Sequence, residues 1–393
     1  MLLEITAITG EYPADNIHRI IPGRTYAKKV VSGLVKNRML KVVYKGRLKG
    51  YRLDFMGKRK LLEANPDRYE SYLDGGTETN RLRTDYTRRL RLHSLAEVCT
   101  IMHNAGVEIF QDSKPKVYQP NTRRLLDTPN ALSNDVILQS AVAPKGQYTA
   151  LPNPIHTITA PCFYTSREQK GQDDNAIRGS RAVGTLLTPT HVYAVYNTGS
   201  TESQWRDGVE RRFMVEVQEY ICRRVLVHQY DNKAVSGIMI GENLGTLVRY
   251  LQPETKQKSG LHFLTATYQP FYFITNDNHG ETQLKLLCDD AKMKLLRTTL
   301  STGGLPPDLA YPIEHDALTE DGNPVLFCCL PDIPRLVRFR TGMYLHDKTG
   351  TVICFDFQLE MLRHYLGDSA VYVSLDFEKF VGRFFVNNQL PTH

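Results

Sequence analysis

The stretch "VVYKGRLKGYRLDFMGKRK", residues 42–60, carries seven lysines and arginines but a single acidic residue, Asp54. Lysine and arginine at this density attract phosphate groups, to which they donate charge-assisted hydrogen bonds. The wider range 14–60 holds 14 basic residues against two acidic ones, whereas the net charge of the whole chain is only +7. Positive charge is therefore concentrated in one part of the chain, which is typical of a protein that binds a polyanion.

Sequence signatures of catalysis or metal binding are not found elsewhere in the chain. It contains no G-x-x-x-x-G-K-[ST] phosphate loop, no G-x-S-x-G nucleophile elbow and no H-E-x-x-H zinc motif. It also lacks the closely spaced histidines of a rolling-circle relaxase. Glu314, His315 and Asp316 lie in a proline-flanked loop, which we interpret as a surface turn. We therefore predict no catalytic residue, no metal site and no cofactor.

Hydrophobic periodicity predicts that the basic residues lie on a helix followed by a hairpin. In "PGRTYAKKVVSGLVKNRML", apolar residues recur at i, i+3, i+4 and i+7, which indicates an amphipathic helix with a basic face. In residues 40–55 the period changes to two on both sides of a turn region at Gly46 and Gly50, which is typical of a β-hairpin. Two short helices are predicted before this pair and another helix after it. This order predicts a winged helix-turn-helix.

In that motif the third helix enters the major groove of DNA, and the hairpin, or wing, follows the phosphate backbone. Short donors such as Thr25 and Ser32 suit base edges. The alternative interpretation is a solvated basic face on a small α+β domain. The predicted DNA-binding residues are Arg24, Thr25, Lys28, Lys29, Ser32, Lys36, Lys45, Arg47, Lys49 and Arg52.

Composition divides the chain into three parts. Residues 1–110 comprise the predicted winged-helix domain and the long helix that follows it, which extends the DNA contact, pairs two protomers or docks two domains. Residues 111–160 are rich in Pro, Asn, Ser and Thr and are predicted to be a linker with loops. In residues 161–393 strand and helix patterns alternate, which predicts an α/β domain with a candidate sub-boundary near 255–265.

Cysteine usage and hydropathy favour a cytoplasmic protein. The seven cysteines include no C-x-x-C pair, which argues against a zinc ribbon and a secreted disulfide framework. Vicinal Cys328 and Cys329 lie in an apolar segment and are predicted to pack in the core. No apolar run approaches the roughly 18 residues of a membrane span. The first residues also lack the pattern of a signal peptide.

The segment ending "GYRLDFMGKRKLL", together with the strand pair "RGSRAVGTLLT…VYAVYNTG", resembles the plasmid replication-relaxation family. The likeness covers residues 1–250 and looks closest to members from conjugative elements of anaerobic Firmicutes. It implies a C-terminal α/β domain with a degenerate restriction-endonuclease-like fold. Where the family carries acidic residues, this chain has Ser180 and Asn197. Two carboxylates are needed to hold Mg²⁺, so the resemblance implies a nuclease-like shell without its metal site.

We therefore expect a cytoplasmic, sequence-specific double-stranded DNA-binding accessory protein of a plasmid or conjugative element, acting in replication, DNA relaxation or mobilisation. Its expected partners are duplex DNA, a relaxase or replication initiator, and a second copy of the chain, with no membrane association. One alternative is a transcriptional regulator, which a ligand pocket in the α/β domain would favour. The other is a metal-dependent nuclease that uses carboxylates elsewhere, such as Asp207, Glu210, Glu216 or Glu219.

Overall fold

The computed structural model describes residues 1–73, 85–118, 157–169, 179–199, 206–231, 233–251 and 266–386. Within these ranges the chain is a mixed α/β protein with three β-sheets. Its α-helices are α1 (Leu2–Thr9), α2 (Arg24–Lys36), α3 (Phe55–Ala64), α4 (Pro66–Leu73), α5 (Tyr86–Asn104), α6 (Ser166–Gln169), α7 (Asp207–Val217), α8 (Val227–Tyr230), α9 (Leu244–Leu251), α10 (Asn278–Leu287), α11 (Asp290–Leu300), α12 (Ile333–His346), α13 (Leu359–Leu366) and α14 (Phe377–Val381). Its strands are β1 (Tyr12–Pro13), β2 (Leu40–Lys45), β3 (Leu48–Leu53), β4 (Cys162–Thr165), β5 (Ala182–Leu187), β6 (Val192–Gly199), β7 (Ser236–Gly241), β8 (Phe271–Thr275), β9 (Ala317–Leu318), β10 (Pro324–Phe327), β11 (Gly350–Phe355) and β12 (Ala370–Leu375).

The first sheet is antiparallel, with strand order β1-β3-β2. β2 and β3 form the predicted hairpin, and Tyr12 of β1 pairs with Tyr51 on the other side of β3. The turn consists of Gly46 and Arg47, and Gly46 has a φ of 57°, which suits the first central position of a type II′ turn. The turn is therefore tighter than predicted, because Gly50 lies within β3.

Three predicted helices differ from the observed ones. The element before α2 is a six-residue 3₁₀ helix, Ala14–Arg19, rather than an α-helix. The segment between the hairpin and residue 73, predicted as one helix, divides into α3 and α4 at Pro66, whose missing N–H and ring would disrupt a continuous helix. The segment 280–300 likewise divides into α10 and α11, because the Asp289 side chain caps α11 by accepting a hydrogen bond from the Lys292 amide at 3.0 Å.

The second sheet has the strand order β4-β5-β6-β7-β8. The pairs β4–β5 and β5–β6 are antiparallel, whereas the pairs β6–β7 and β7–β8 are parallel. The pairing of Leu186 with Tyr193 confirms that β5 and β6 are adjacent strands, as predicted. Every residue of β5, β7 and β8 is buried, as expected for strands of a sheet that is covered on both faces.

The third sheet has the order β12-β11-β10-β9, in which β10, β11 and β12 are parallel and β9 is antiparallel. The chain after β10 joins this sheet to β8, because the Phe273 amide donates to the Pro331 carbonyl at 2.9 Å. The alternation of strands and helices predicted after residue 160 is thus confirmed. The candidate sub-boundary near 255–265 and residues 119–156 of the predicted linker lie outside the described residues.

The long helix α5 docks the first sheet and its helices onto the rest of the molecule. Its side chains Leu95, Val98 and Met102 are buried in a cluster that also contains Ile5 of α1 and Leu284 of α10. Of the three interpretations of this helix, the structure supports docking. One hydrophobic cluster therefore contains side chains from both halves of the chain.

The two vicinal cysteines lie where the sequence predicts. Cys328 and Cys329 are each 2% exposed and unpaired, which confirms that they pack in the core. In the part of the chain that the structure describes, no helix combines the length and the apolar character needed to cross a membrane.

Replacing Gly50 with alanine should destabilise the protein by about 1–3 kcal/mol, the usual cost of overpacking. The new Cβ would lie 2.1 Å from Oε1 of Glu11, whose side chain is fully buried. The control is Gly33→Ala in α2, where nothing lies within 4 Å and about 0.5–1 kcal/mol of stability should be gained. Chemical denaturation of the full chain measures both. A Gly50→Ala protein as stable as the wild type would show that Glu11 is not held in place.

Candidate nucleic-acid interface

Helix α2 presents a polar, basic face to solvent. Ala27 and Val31 are buried on the opposite side, where α2 packs against the rest of the protein. At 3.6 residues per turn, the exposed polar positions fall within an arc of about 140° around the helix axis. These exposed residues are Arg24, Thr25, Lys28, Lys29, Ser32 and Lys36.

Exposure along the hairpin rises from its base toward its turn. At the base, Leu40 pairs with Leu53, and both side chains are 1% exposed. At the turn, Lys45 and Arg47 are exposed, and Lys49 is half-buried. The cationic end of the hairpin therefore extends away from the hydrophobic core.

Six of the cations predicted to bind DNA are exposed and have no counter-ion within the described ranges. Within the described ranges they form no ion pair and no hydrogen bond. The nearby carboxylate of Asp54 lies 4.0 Å from Arg38 instead. Exposed cations without a partner are available to bind phosphates. The six are Arg24, Lys28, Lys29, Lys36, Lys45 and Arg47.

A short, hydrogen-bonded connection holds α2 against the hairpin. The Met39 amide donates to the Leu34 carbonyl at 2.9 Å, and the Asp54 amide donates to the Met39 carbonyl at 3.0 Å. Arg38 has a φ of 54°, in the left-handed region that commonly ends helices. The helix and the hairpin are thus fixed relative to each other, and we refer to the exposed cations of both elements together as the candidate interface.

A buried ion-pair network supports the base of the candidate interface. Glu11 is fully buried, accepts a hydrogen bond from Arg89 Nε at 3.0 Å, and lies 2.7 Å from His93 Nε2. Arg89 also donates to the Val43 carbonyl in β2 at 3.1 Å. Burial raises the pKa of the Glu11 carboxyl, but the hydrogen bonds from His93 and Arg89 outweigh burial and hold the pKa below its usual value. The network links α5 to both β1 and the hairpin.

The structure corrects one predicted DNA-binding residue, Arg52. Its side chain is 0% exposed, so in this conformation it does not reach a phosphate. The reason is that β3 is the central strand, between β1 and β2, and is covered more completely than the edge strand β2. Arg52 is therefore not part of the candidate interface.

Two exposed tyrosines lie on these elements, and the sequence pattern did not identify them as candidate interface residues. Tyr26 on α2 is 62% exposed, and Tyr44 on β2 is 66% exposed, with Lys49 Nζ lying 5.7 Å from its ring centroid. Alternation with Leu40 and Val42 predicts that Tyr44 faces inward. The hairpin extends beyond the core at this point, so both faces of the strand meet solvent.

Ser180 contacts the carboxylate of Glu210, a contact that the sequence analysis did not predict. Its hydroxyl donates to Glu210 Oε2 at 2.7 Å, and the Arg181 amide donates to Glu210 Oε1 at 2.9 Å. Burial raises the pKa of the Glu210 carboxyl, and these two hydrogen bonds act in the opposite direction. Glu210, one carboxylate of the nuclease alternative, is 1% exposed and is engaged in holding the start of β5.

The Asn197 side chain connects β6 to α5 through hydrogen bonds. Its Nδ2 donates to Glu97 Oε2 at 2.8 Å and to the Ser94 carbonyl at 3.2 Å, while its Oδ1 accepts from the Gly199 amide at 3.0 Å. Burial raises the pKa of Glu97, although the hydrogen bond from Asn197 lowers it in part. Among the residues that the structure describes, no group of three or more His, Cys, Asp or Glu side chains is placed to hold a metal ion.

The segment that we interpreted as a surface turn is a partly exposed loop, and its two carboxylates form an ion-pair cluster. Glu314 Oε1 lies 2.8 Å from Arg335 Nε, and Asp316 Oδ1 lies 2.9 Å from Arg335 Nη1. Glu314 Oε2 also accepts from Arg338 Nε at 2.8 Å. Arg335 and Arg338, both on α12, border a cleft of about 270 Å³ in the α/β part.

Comparisons of this chain with protein-family models, with curated proteins and with solved structures gave no match. The resemblance to the plasmid replication-relaxation family therefore stays a prediction based on the quoted motifs. The function must be inferred from the charges and contacts of the described residues.

With Mg²⁺ or Mn²⁺ present, the full chain should neither nick supercoiled plasmid nor cut linear DNA. Ser180 and Asn197 supply no negative charge to hold a divalent cation, and Mg²⁺ should therefore not raise the melting temperature. Glu210→Gln is the matched variant, because Glu210 is the carboxylate that Ser180 contacts. Metal-dependent nicking that survives further purification and is abolished in Glu210→Gln would contradict this expectation and support a nuclease.

Proposed function

We propose that the protein binds specific double-stranded DNA and that α2 and the β2–β3 hairpin act as the recognition helix and wing of a winged helix. The element order α1, β1, 3₁₀ helix, α2, β2, β3 and the sheet order β1-β3-β2 support this proposal. Such proteins place one helix in the major groove and contact the flanking backbone with neighbouring elements. The observation that carries the proposal is that six of the predicted cations on these two elements are exposed and have no ion-pair partner among the described residues.

The two elements have different roles in this proposal. Thr25, Lys29 and Ser32 on α2 face base edges, where hydroxyls and ammonium groups read hydrogen-bonding patterns. Lys45 and Arg47 at the end of the hairpin bind phosphates, which supplies affinity without sequence information. The hydroxyls of the two exposed tyrosines are further phosphate donors.

The proposed biological role is that of an accessory protein of a plasmid or conjugative element, acting in replication, relaxation or mobilisation. The likeness of "GYRLDFMGKRKLL" and "RGSRAVGTLLT" to the replication-relaxation family supports this role. The α/β part would serve as a docking scaffold for a relaxase or replication initiator. Its support is that Ser180 and Asn197 make structural hydrogen bonds to Glu210 and Glu97.

A transcriptional regulator is the second candidate, and the cleft in the α/β part favours it. Both candidates share the DNA-binding surface and differ in where the bound sequence lies. Footprinting of the full chain on its own genetic element separates them. Protection at a transfer or replication origin supports the accessory role, and protection at a promoter supports the regulator.

Substitutions in the wing and in the helix should weaken DNA binding in different ways. Lys45→Ala with Arg47→Ala should weaken binding to all duplexes about equally and flatten the slope of log K against log salt by about 1.8, which is about 0.9 for each phosphate that the variant no longer neutralises. Lys29→Ala with Ser32→Ala should instead reduce the preference for the specific site by about 1–3 kcal/mol. Fluorescence anisotropy over a salt series, with random duplex as competitor, measures both effects.

The matched control is Lys294→Ala with Lys348→Ala, which removes two exposed lysines outside the proposed surface. This control should retain the affinity and salt slope of the wild type. A decrease in affinity equal to that of the wing variant would show that binding depends only on net charge. The two roles are wrongly assigned if the wing substitutions change the preference for the specific site and the helix substitutions do not.

A further inference from the structure

The cleft in the α/β part has a polar wall and an apolar wall. It lies between α11, the start of β8, the chain that follows β10, and the first turns of α12, and its volume is about 270 Å³. Leu296 and Leu300 of α11 and Phe327 of β10 line the apolar wall. This volume is slightly below the roughly 300–1,000 Å³ of pockets for drug-sized ligands, so the cleft suits a small molecule.

The two arginines of the polar wall are already neutralised. Arg335 binds Glu314 and Asp316, and Arg338 binds the second oxygen of Glu314. Burial raises the pKa of the Glu314 carboxyl, but hydrogen bonds from Arg335 and Arg338 outweigh burial and lower the pKa. This cluster forms a fixed wall and leaves neither arginine free to balance another charge in full.

Three other groups that line the cleft lack such partners. Tyr272 is 8% exposed, and its hydroxyl makes no hydrogen bond with any described residue. The guanidinium of Arg297 forms no ion pair or hydrogen bond within the described ranges. Asp332 is also 8% exposed and accepts a hydrogen bond from the Phe271 amide at 3.2 Å, but it forms no ion pair there.

Asp332 is buried and forms no ion pair among the described residues, although the charges of Arg335 and Arg338 act on it. Burial raises the pKa of its carboxyl to about 6, even though the Phe271 amide and the charges of Arg335 and Arg338 act in the opposite direction. Near neutral pH the group is mostly ionised, so a buried negative charge faces the cleft. A cationic group of a ligand would balance it.

We propose that this cleft binds a small zwitterion of the amino-acid type with an apolar side chain. Arg297 binds the carboxylate of the ligand, and Asp332 binds its ammonium group. The Tyr272 hydroxyl donates a hydrogen bond to the carboxylate. The ligand side chain contacts Leu296 and Leu300. A guanidinium and a buried carboxylate that form no ion pair among the described residues are complementary to a molecule that carries both charges.

Isothermal titration calorimetry of the full chain, at about pH 7.5 where Asp332 is ionised, tests the ligand class. The probes are L-leucine and L-phenylalanine, with 4-methylpentanoate lacking the ammonium group and 3-methylbutylamine lacking the carboxylate. At least one amino acid should bind in the millimolar range or tighter. If L-leucine binds, both of its analogues should bind at least about tenfold more weakly, as expected when a charge-assisted hydrogen bond is removed. If only L-phenylalanine binds, neither analogue should bind measurably. The proposal is overturned if neither amino acid binds, or if 4-methylpentanoate binds as tightly as the amino acid.

Variants then test the residue assignments with the amino acid that binds. Arg297→Gln should bind at least about tenfold more weakly, and Tyr272→Phe should show a smaller decrease. Lys294→Ala, on the same helix as Arg297 but outside the cleft lining, should bind as the wild type does. Asp332→Asn should weaken amino-acid binding without weakening 4-methylpentanoate. Wild-type affinity in Arg297→Gln, an exposed position where folding is not at risk, would overturn the proposal.

Discussion

The ion pair between Glu11 and Arg89 is the interaction on which the first sheet depends. Glu11 has no exposed surface, and removing one partner of such a buried pair typically costs about 3–5 kcal/mol. His93 lies against the same carboxylate, Arg89 also binds the Val43 carbonyl, and Gly50 leaves the space that Glu11 occupies. Since these groups belong to α5, β2 and β3, the network fixes how the hairpin meets the rest of the molecule.

Glu11 and Arg89 form a buried ion pair, whereas the exposed cations of α2 and the hairpin end form no ion pair among the described residues. Arg19 binds Glu281 of α10, and Asn104 donates to the same carboxylate at 2.7 Å, so that the N-terminal elements are joined to the α/β part by polar contacts as well. Repulsion among unpaired surface cations disfavours the compact state. We propose that a polyanionic ligand offsets this repulsion, as in the DNA-binding role proposed above.

Local sequence patterns are sufficient to predict α2, the hairpin and the paired strands β5 and β6, because these elements depend on residues that are close in the chain. The patterns do not reveal that Arg52 is buried, since this depends on the pairing of β1 with β3. They also miss the contact between Glu314 and Arg335, which requires α12 to pack beside its preceding loop. Ser180 and Asn197 are singled out only by the resemblance to the replication-relaxation family, and only the fold shows which carboxylates they contact.

Lysine acetylation with and without duplex DNA, followed by mass spectrometry of the full chain, tests the proposed interface most directly. DNA should protect Lys28, Lys29, Lys36 and Lys45, and this protection should diminish as the salt concentration rises, because salt screens exposed charges. Lys294, outside the surface, should react equally in both samples. Protection confined to lysines of the α/β part, or uniform protection of all lysines, would contradict DNA binding through α2 and the hairpin.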